Sequence, residues 1–198
     1  MHTPAPLAFS IRALNRATDS QAAAMMDRIV ERSAWMAHRA AEARPFSDVE
    51  DLERWLEAEV RGLSHDEAVM LLNAHPELAP PEPLEMTDAS QSEQRRLRLL
   101  DPDPNLARRL ADLNSRYQQR HGYPFVIALH ARKDLTEVLA QFESRISAED
   151  SDEELARSLG EVVSVMKARL ALLTRVSREE NGDCAVEQIT FDEGAPEA

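Results

Sequence analysis

The chain has 198 residues, enough for one domain with its own core, and its 36 Asp and Glu against 23 Lys and Arg give a formal net charge of −13. That acid excess argues against nucleic acid and against an anionic membrane as partners, because both are held through a basic footprint. The single cysteine, Cys184, excludes an internal disulfide framework and a cysteine-rich metal site. No apolar run approaches the roughly 20 residues that span a bilayer. The start, Met1-His2-Thr3-Pro4, lacks the basic and apolar regions of a secretory signal, so a cytoplasmic protein is expected. Five glycines, few aromatics and an abundance of Ala, Leu, Glu and Arg point to helices.

In chain order, residues 1–9 read as an N-terminal extension. Residues 10–30 carry helical spacing, and a second helix runs from Trp35 to about Ala43, before Pro45. Four Ser-x-x-Glu pairs have capping-box spacing. Ser47 with Glu50 opens a helix that aligns Val49, Leu52, Leu56 and Val60 and ends near Gly62. Ser64 with Glu67 opens a helix that Pro76 stops at about His75. The proline-rich stretch 76–89 reads as a loop. Ser90 with Glu93 opens a helix to about Leu100, and another runs from Asn105 to about Arg120. Gly122 and Pro124 bracket a turn, and Phe125-Val126-Ile127-Ala128-Leu129 is a short apolar run that periodicity assigns to neither helix nor strand. Residues 134–146 are helical, and Ser151 with Glu154 opens the last helix, to about Arg178. The expectation is an all-α fold: one compact domain over 10–178, with about eight helices and one short extended apolar segment. From Glu179 onward there are seven acids and no Lys or Arg, so 179–198 reads as an acidic tail in which a strand over 185–191 is only weakly signalled.

Two residues stand out on chemical grounds. Leu155, Leu159, Val162, Met166 and Leu173 form the apolar stripe of the last helix, and Arg169 lies in that stripe. A guanidinium on a core-facing line needs a partner. It is either a snorkelling or structurally paired arginine, or an anion clamp whose planar fork matches a carboxylate. His75 is expected at a helix C-terminus, where the macrodipole favours the protonated ring, and it is either a bland cap or a proton donor. Glu93 has a ready explanation as the return partner of the Ser90 box. Gln94 has none beyond a surface helix, and Arg95, Arg96 and Arg98 read as a solvated basic face. The other histidines share no metal-ligand spacing, so no metal is expected, and the phosphate-loop, serine-elbow and Cys-x-x-Cys motifs are absent.

Three segments together carry a resemblance. They are Leu72-Asn73-Ala74-His75-Pro76-Glu77-Leu78-Ala79, then Ser90-Gln91-Ser92-Glu93-Gln94, then Leu113-Asn114-Ser115-Arg116-Tyr117 running on to Gly122-Tyr123-Pro124-Phe125-Val126-Ile127. In this order they resemble the OHCU decarboxylase family (2-oxo-4-hydroxy-4-carboxy-5-ureidoimidazoline decarboxylase) of urate degradation. Leu14-Asn15 and Trp35 to Arg44-Pro45-Phe46 fit the same pattern, and the likeness covers roughly 10–175. It implies an all-α, cofactor-free, commonly dimeric enzyme that makes (S)-allantoin and CO2. It places the catalytic histidine at His75, held by Pro76, and the substrate contacts at Glu93, Gln94, Arg169 and the backbone of Phe125, Val126, Ile127, Ala128 and Leu129. This chain departs from the family pattern at His121-Gly122-Tyr123-Pro124, which is usually Phe-Gly-Phe-Pro, and at Arg95, Arg96 and Arg98, where small residues are usual.

The mechanism so implied has Arg169 clamping a carboxylate or carbonyl oxygen and Glu93 and Gln94 bonding the ureido and ring groups. Backbone N–H groups near Val126–Leu129 receive oxyanion charge, and His75 exchanges the proton. The partner is a small-molecule substrate, with a homodimer implied and urate oxidase and hydroxyisourate hydrolase as pathway companions without contact. Two other readings stay open: a decarboxylase-like enzyme for a related ureido or imidazole carboxylate, and a non-catalytic helical binding protein on the same fold.

Overall fold

The computed structural model describes residues 9–182, with side chains over 9–176; the tail residues 183–198, Cys184 and residues 1–8 lie outside the described part. Among the described residues there are nine α-helices and no strand. No helix there is long and apolar enough to cross a membrane.

The expected helix over 10–30 is two. α1 (Ile11–Arg16) stops at Ala17, and α2 (Asp19–Asp27) opens on a capping box in which Gln21 N–H donates to Thr18 Oγ1 and Thr18 N–H donates to Gln21 Oε1. A strong local N-terminus inside an apolar run therefore splits it. α3 (Ala34–Glu42) packs on α2. The predicted Ser47 cap is displaced by one residue. α4 (Val49–Arg61) is capped by Asp48, whose Oδ1 accepts from Asp51 N–H at 2.7 Å, while Ser47 bonds the Asp51 carboxylate. α5 (His65–Asn73) has the predicted Ser64–Glu67 box.

A short 3-10 turn, Pro83–Glu85, interrupts the proline-rich loop. α6 (Asp88–Arg95) begins two residues before Ser90, because Thr87 is the cap. It also ends early: Leu97 and Leu99 N–H both return to the Gln94 carbonyl, and Arg98 turns into the left-handed region at φ 59°. α7 (Pro104–His121) is capped by Asp103 and closed by Gly122 at φ 81°, where a residue without Cβ carries no steric penalty. α8 (Leu135–Ile146) packs on α7. At α9 (Ser151–Gly182) the Asp150 carboxylate, rather than Ser151, accepts from the first N–H groups, those of Asp152 and Glu153. α9 is the pillar of the fold, with α4 and α5 packed along it. The motif pieces Asn15 and Phe46 meet across the core: Asn15 Nδ2 donates to the Phe46 carbonyl at 2.7 Å and Phe46 N–H returns to Asn15 Oδ1 at 3.0 Å.

Phe125–Ala128 is neither helix nor strand, and a 3-10 turn, Leu129–Ala131, follows it. Buried backbone outside regular structure needs side-chain partners, and this segment has three. Arg145 Nη1 donates to the Val126 carbonyl at 3.0 Å, Ala128 N–H donates to Glu161 Oε2 at 2.8 Å, and Arg96 donates to the Leu129 carbonyl. Arg145 is itself fully buried. Its Nε lies 2.7 Å from Glu154 Oε1, its Nη2 donates to Ser158 Oγ at 2.8 Å, and its guanidinium covers the Phe125 ring at 4.5 Å. Phe125 stacks on Phe142 at 3.9 Å, and Tyr117 O–H donates to Glu154 at 2.5 Å. A carboxylate sealed beside one buried guanidinium is costly to leave behind. Arg145→Leu is expected to destabilise the fold by about 3–5 kcal/mol in urea unfolding; a change below about 1 kcal/mol would mean that the pair does not hold this corner together.

Candidate active site

The ends of α5 and α6, the 125–129 segment and α9 converge on a cavity of about 40 Å3. His75 lies one residue beyond the α5 cap, Ala74, and is buried. Its Nδ1 is 2.9 Å from the Leu71 carbonyl oxygen. A carbonyl only accepts, so Nδ1 carries the proton and Nε2 is the basic atom of the neutral ring. The sequence suggested that the helix end would favour the charged form, and the structure gives the opposite balance. Burial pushes the ring below its ordinary pKa, outweighing the upward pulls of the Leu71 bond and of the Glu31 and Glu93 charges, while Arg169 adds to the fall. Pro76 lines the cavity next to it.

Arg169 is buried in the apolar stripe of α9 and has carboxylate partners on two sides. Nη1 meets Glu31 Oε2 at 2.5 Å; Nε and Nη2 meet the two Glu93 oxygens at 2.8 and 3.0 Å, a bidentate grip. Nη2 also donates to Ser90 Oγ at 3.2 Å. The Ser90–Glu93 capping box is therefore absent. One turn inside α6, Ser90 and Glu93 face Arg169 together with the cap residue Thr87. Thr87, Ser90 and Glu93, spaced by three, form a polar stripe aimed at α9. That spacing was readable in the sequence, whereas its target, Glu31, lies beyond the end of α2 in irregular backbone and was missed.

Gln94 lines the cavity but its amide is committed to the loop after His75. Nε2 donates to the Glu77 carbonyl at 2.7 Å, and Oε1 accepts from Ala79 N–H at 2.8 Å, where Ala79 holds φ 51°. Asn114, on α7, donates to the Leu78 carbonyl at 2.9 Å and steadies the same loop. Phe125, Val126, Ile127 and Leu129 line the cavity; Ala128 does not, and its N–H, expected as a substrate donor, is taken by Glu161. The N–H groups of Val126 and Ile127 donate to no described group. Leu78 and Val165 complete the apolar wall.

Arg95, Arg96 and Arg98 do not line this cavity. All three are exposed, as expected of a solvated face, and Arg96 has a further role: its Nη2 binds the Leu129 carbonyl and, at 2.8 Å, the Arg132 carbonyl, so it secures the far end of the extended segment. Tyr123 is a buried core ring edge-on to Tyr117. A larger groove of about 480 Å3 between α4 and α9 contains the Lys167–Glu57 pair and no histidine, so the convergent chemistry lies in the smaller cavity. Among the described residues no group of three or more His, Cys, Asp or Glu is placed to hold a metal ion.

A family model described as OHCU decarboxylase matches residues 15–171 of this chain. The chain belongs to the OHCU decarboxylase family. It is similar to a 2-oxo-4-hydroxy-4-carboxy-5-ureidoimidazoline decarboxylase from Haloferax volcanii, 33% identical over 162 residues, which spans 82% of this chain and 94% of that protein. It is also similar to a putative decarboxylase of the same name from Homo sapiens, 38% identical over 136 residues, covering 67% of this chain and 76% of that one. A solved structure described as (S)-allantoin synthase has the same fold at a TM-score of 0.61 and 23% identity, over 83% of this chain and 53% of that longer chain. Within the OHCU decarboxylase family, this chain's Ser33-Ala34-Trp35 opens α3 and Arg44-Pro45-Phe46 follows it, and Arg44 donates to the Leu14 and Ala17 carbonyls at 2.9 and 2.6 Å.

The buried neutral His75 has a measurable consequence. Its folded pKa lies below the ordinary value of 6.5, so as the pH falls through that value the unfolded chain takes up a proton that the folded chain refuses. Stability is then lost as the pH falls. Between pH about 7.5 and about 5.5 the unfolding free energy of wild type should fall relative to that of His75→Gln; a difference independent of pH would mean an unshifted imidazole, and a rise would place a charged imidazole in the fold.

Proposed function

We propose that the chain is a decarboxylase that converts OHCU to (S)-allantoin and CO2 in urate degradation, with no cofactor taking part. The observation that carries this reading is the meeting of a neutral histidine, a carboxylate and a buried guanidinium at one cavity, in a chain of this family. OHCU provides its own electron sink. When the bond from the ring carbon to CO2 breaks, its electron pair forms a double bond to the neighbouring carbon, the imine bond opens, and the imine nitrogen takes up a proton. The hydroxyl on that carbon gives up its proton and becomes the ring carbonyl, and the neighbouring carbon bearing the ureido group takes up a proton. One proton is consumed overall per CO2 released, and the protonated carbon becomes the stereocentre of allantoin.

The residues divide this work. Arg169 binds the substrate anion through its fork. His75 Nε2 takes the hydroxyl proton and returns one to the new carbon, a task suited to a ring held neutral. The N–H groups of Val126 and Ile127, residues that line the cavity and whose N–H groups have no acceptor among the described residues, receive developing oxygen charge. Gln94 fixes the loop that carries His75 and Pro76. The apolar wall of Phe125, Leu78 and Val165 keeps water from the carbanion-like centre. Urate oxidase and hydroxyisourate hydrolase would supply the substrate without contacting the chain, and a cytoplasmic homodimer is the expected setting.

The test generates OHCU in situ from urate with those two enzymes and follows its absorbance. Wild type should accelerate the decay, His75→Gln should lose roughly 10²–10⁴-fold in rate, and Arg169→Lys should be impaired but still measurable, because a point charge only partly replaces a bidentate fork. Decay at the spontaneous rate with wild type, or full activity of His75→Gln, would overturn the assignment.

A further inference from the structure

The two carboxylates on Arg169 are not equivalent. Glu93 is 29% exposed at its side chain and holds the Nε–Nη2 edge, the edge that presents two parallel donors. Glu31 is 1% exposed at its side chain and holds Nη1 alone. Glu31 also accepts from Thr87 Oγ1 at 2.9 and 3.1 Å and from Ser90 Oγ at 3.0 Å; burial, the largest single effect, pushes its carboxyl up, and Arg169 with these hydroxyls together outweighs it and holds the carboxyl below the ordinary value. Its backbone is unusual: Glu31 and Arg32 hold φ 33° and 46°, in the left-handed region that non-glycine residues rarely adopt, and Arg32 donates to the Glu85 carbonyl. Two consecutive strained residues turn the chain after α2 so that one carboxylate is driven into the interior. A core has no need of that carboxylate except to meet Arg169 and the N-terminal turn of α6.

We infer that Glu31 is the positioning residue of this site: it fixes Arg169 and the Thr87–Ser90 turn in place, and leaves the Nε–Nη2 edge, now held by Glu93, as the edge that a substrate carboxylate takes. The inference rests on the reading of the site as a binder of an anionic substrate. The geometry agrees with an exchange. Glu93 lines this narrow cavity and its two oxygens occupy the Nε–Nη2 edge, so a substrate carboxylate that takes that edge displaces the Glu93 carboxylate from it. Glu31, enclosed on every side by Arg169, Thr87 and Ser90, stays. On its other face the same pair lines a second opening of about 430 Å3, beside Asp27 and Asp88.

The test is a double-mutant cycle of Glu31→Gln with Arg169→Lys, read as KM and kcat for OHCU, with folding checked by circular dichroism and urea. Glu31→Gln should raise KM and lower kcat/KM by about 10–10²-fold in a folded protein. In the Arg169→Lys background the same change should cost almost nothing further, because it acts only through the fork. Glu31→Asp, which keeps the charge but withdraws it by one methylene, should also raise KM and serves if the glutamine variant does not fold. A residue that merely supports the core would lower stability and leave KM unchanged, and an effect of equal size in both backgrounds would equally overturn the inference. A readout without substrate separates this from the proposed activity. The Arg169 Nε–H signal in 15N NMR, identified by its loss in Arg169→Lys, should be sharp in wild type and broadened or shifted in Glu31→Gln. If wild type ignores OHCU, the proposed function falls, and this signal alone decides the positioning role: unchanged in Glu31→Gln, it overturns that role.

Discussion

A guanidinium in a hydrocarbon stripe is the constraint on which the rest of this structure depends. Arg169 occupies a position on α9 that packing would give to leucine, and taking it out of water is tolerable only if anionic oxygens surround it. They come from Glu31 and Glu93, 138 and 76 residues away along the chain. Meeting that demand brings the turn after α2 and the Ser90–Glu93 face of α6 against Arg169. Thr87 and Ser90 follow because Glu31 needs donors, and α6 then brings Gln94 to the loop after His75. The cavity is what remains between these elements.

The opposite wall is built by the same principle with a different pair. The 125–129 segment has no sheet to satisfy it, so Arg145, Glu161 and Arg96 bond its backbone one atom at a time. Arg145 can be there only because Glu154, Tyr117 and Ser158 complete its surroundings. Stability and function are thus coupled at this wall: the buried network that costs desolvation also holds Val126 and Ile127, whose N–H groups donate to no described group, at the lining of the cavity. Arg96, a departure from the family's usual small residues, joins this support instead of recharging the cavity.

Much of the fold was legible. Periodicity and capping patterns located most of the helices, and the stripe of α9 singled out Arg169 before any partner was known. What failed did so for local reasons. Thr18–Gln21 is a capping box that uses glutamine, so the split between α1 and α2 passed unnoticed. At Ser47, Ser90 and Ser151 a neighbouring Asp or Thr outcompeted the serine for the cap, which moved the starts of these helices and freed Ser90 and Glu93 for Arg169. His75 misled because the helix end is visible in sequence and burial is not. Glu31 was invisible because no periodic pattern covers left-handed backbone past a helix end, and its importance lies in a partner on the far side of the chain.

The central claim is that Arg169, held in place by Glu31, presents a single face of the substrate to His75. Circular dichroism of the allantoin formed during enzymatic decay of OHCU tests it most directly. The account predicts product of one hand, the S enantiomer, from the first turnover, whereas racemic allantoin formed at an accelerated rate would contradict it, because a site that speeds loss of CO2 without controlling the face of protonation is not the site described.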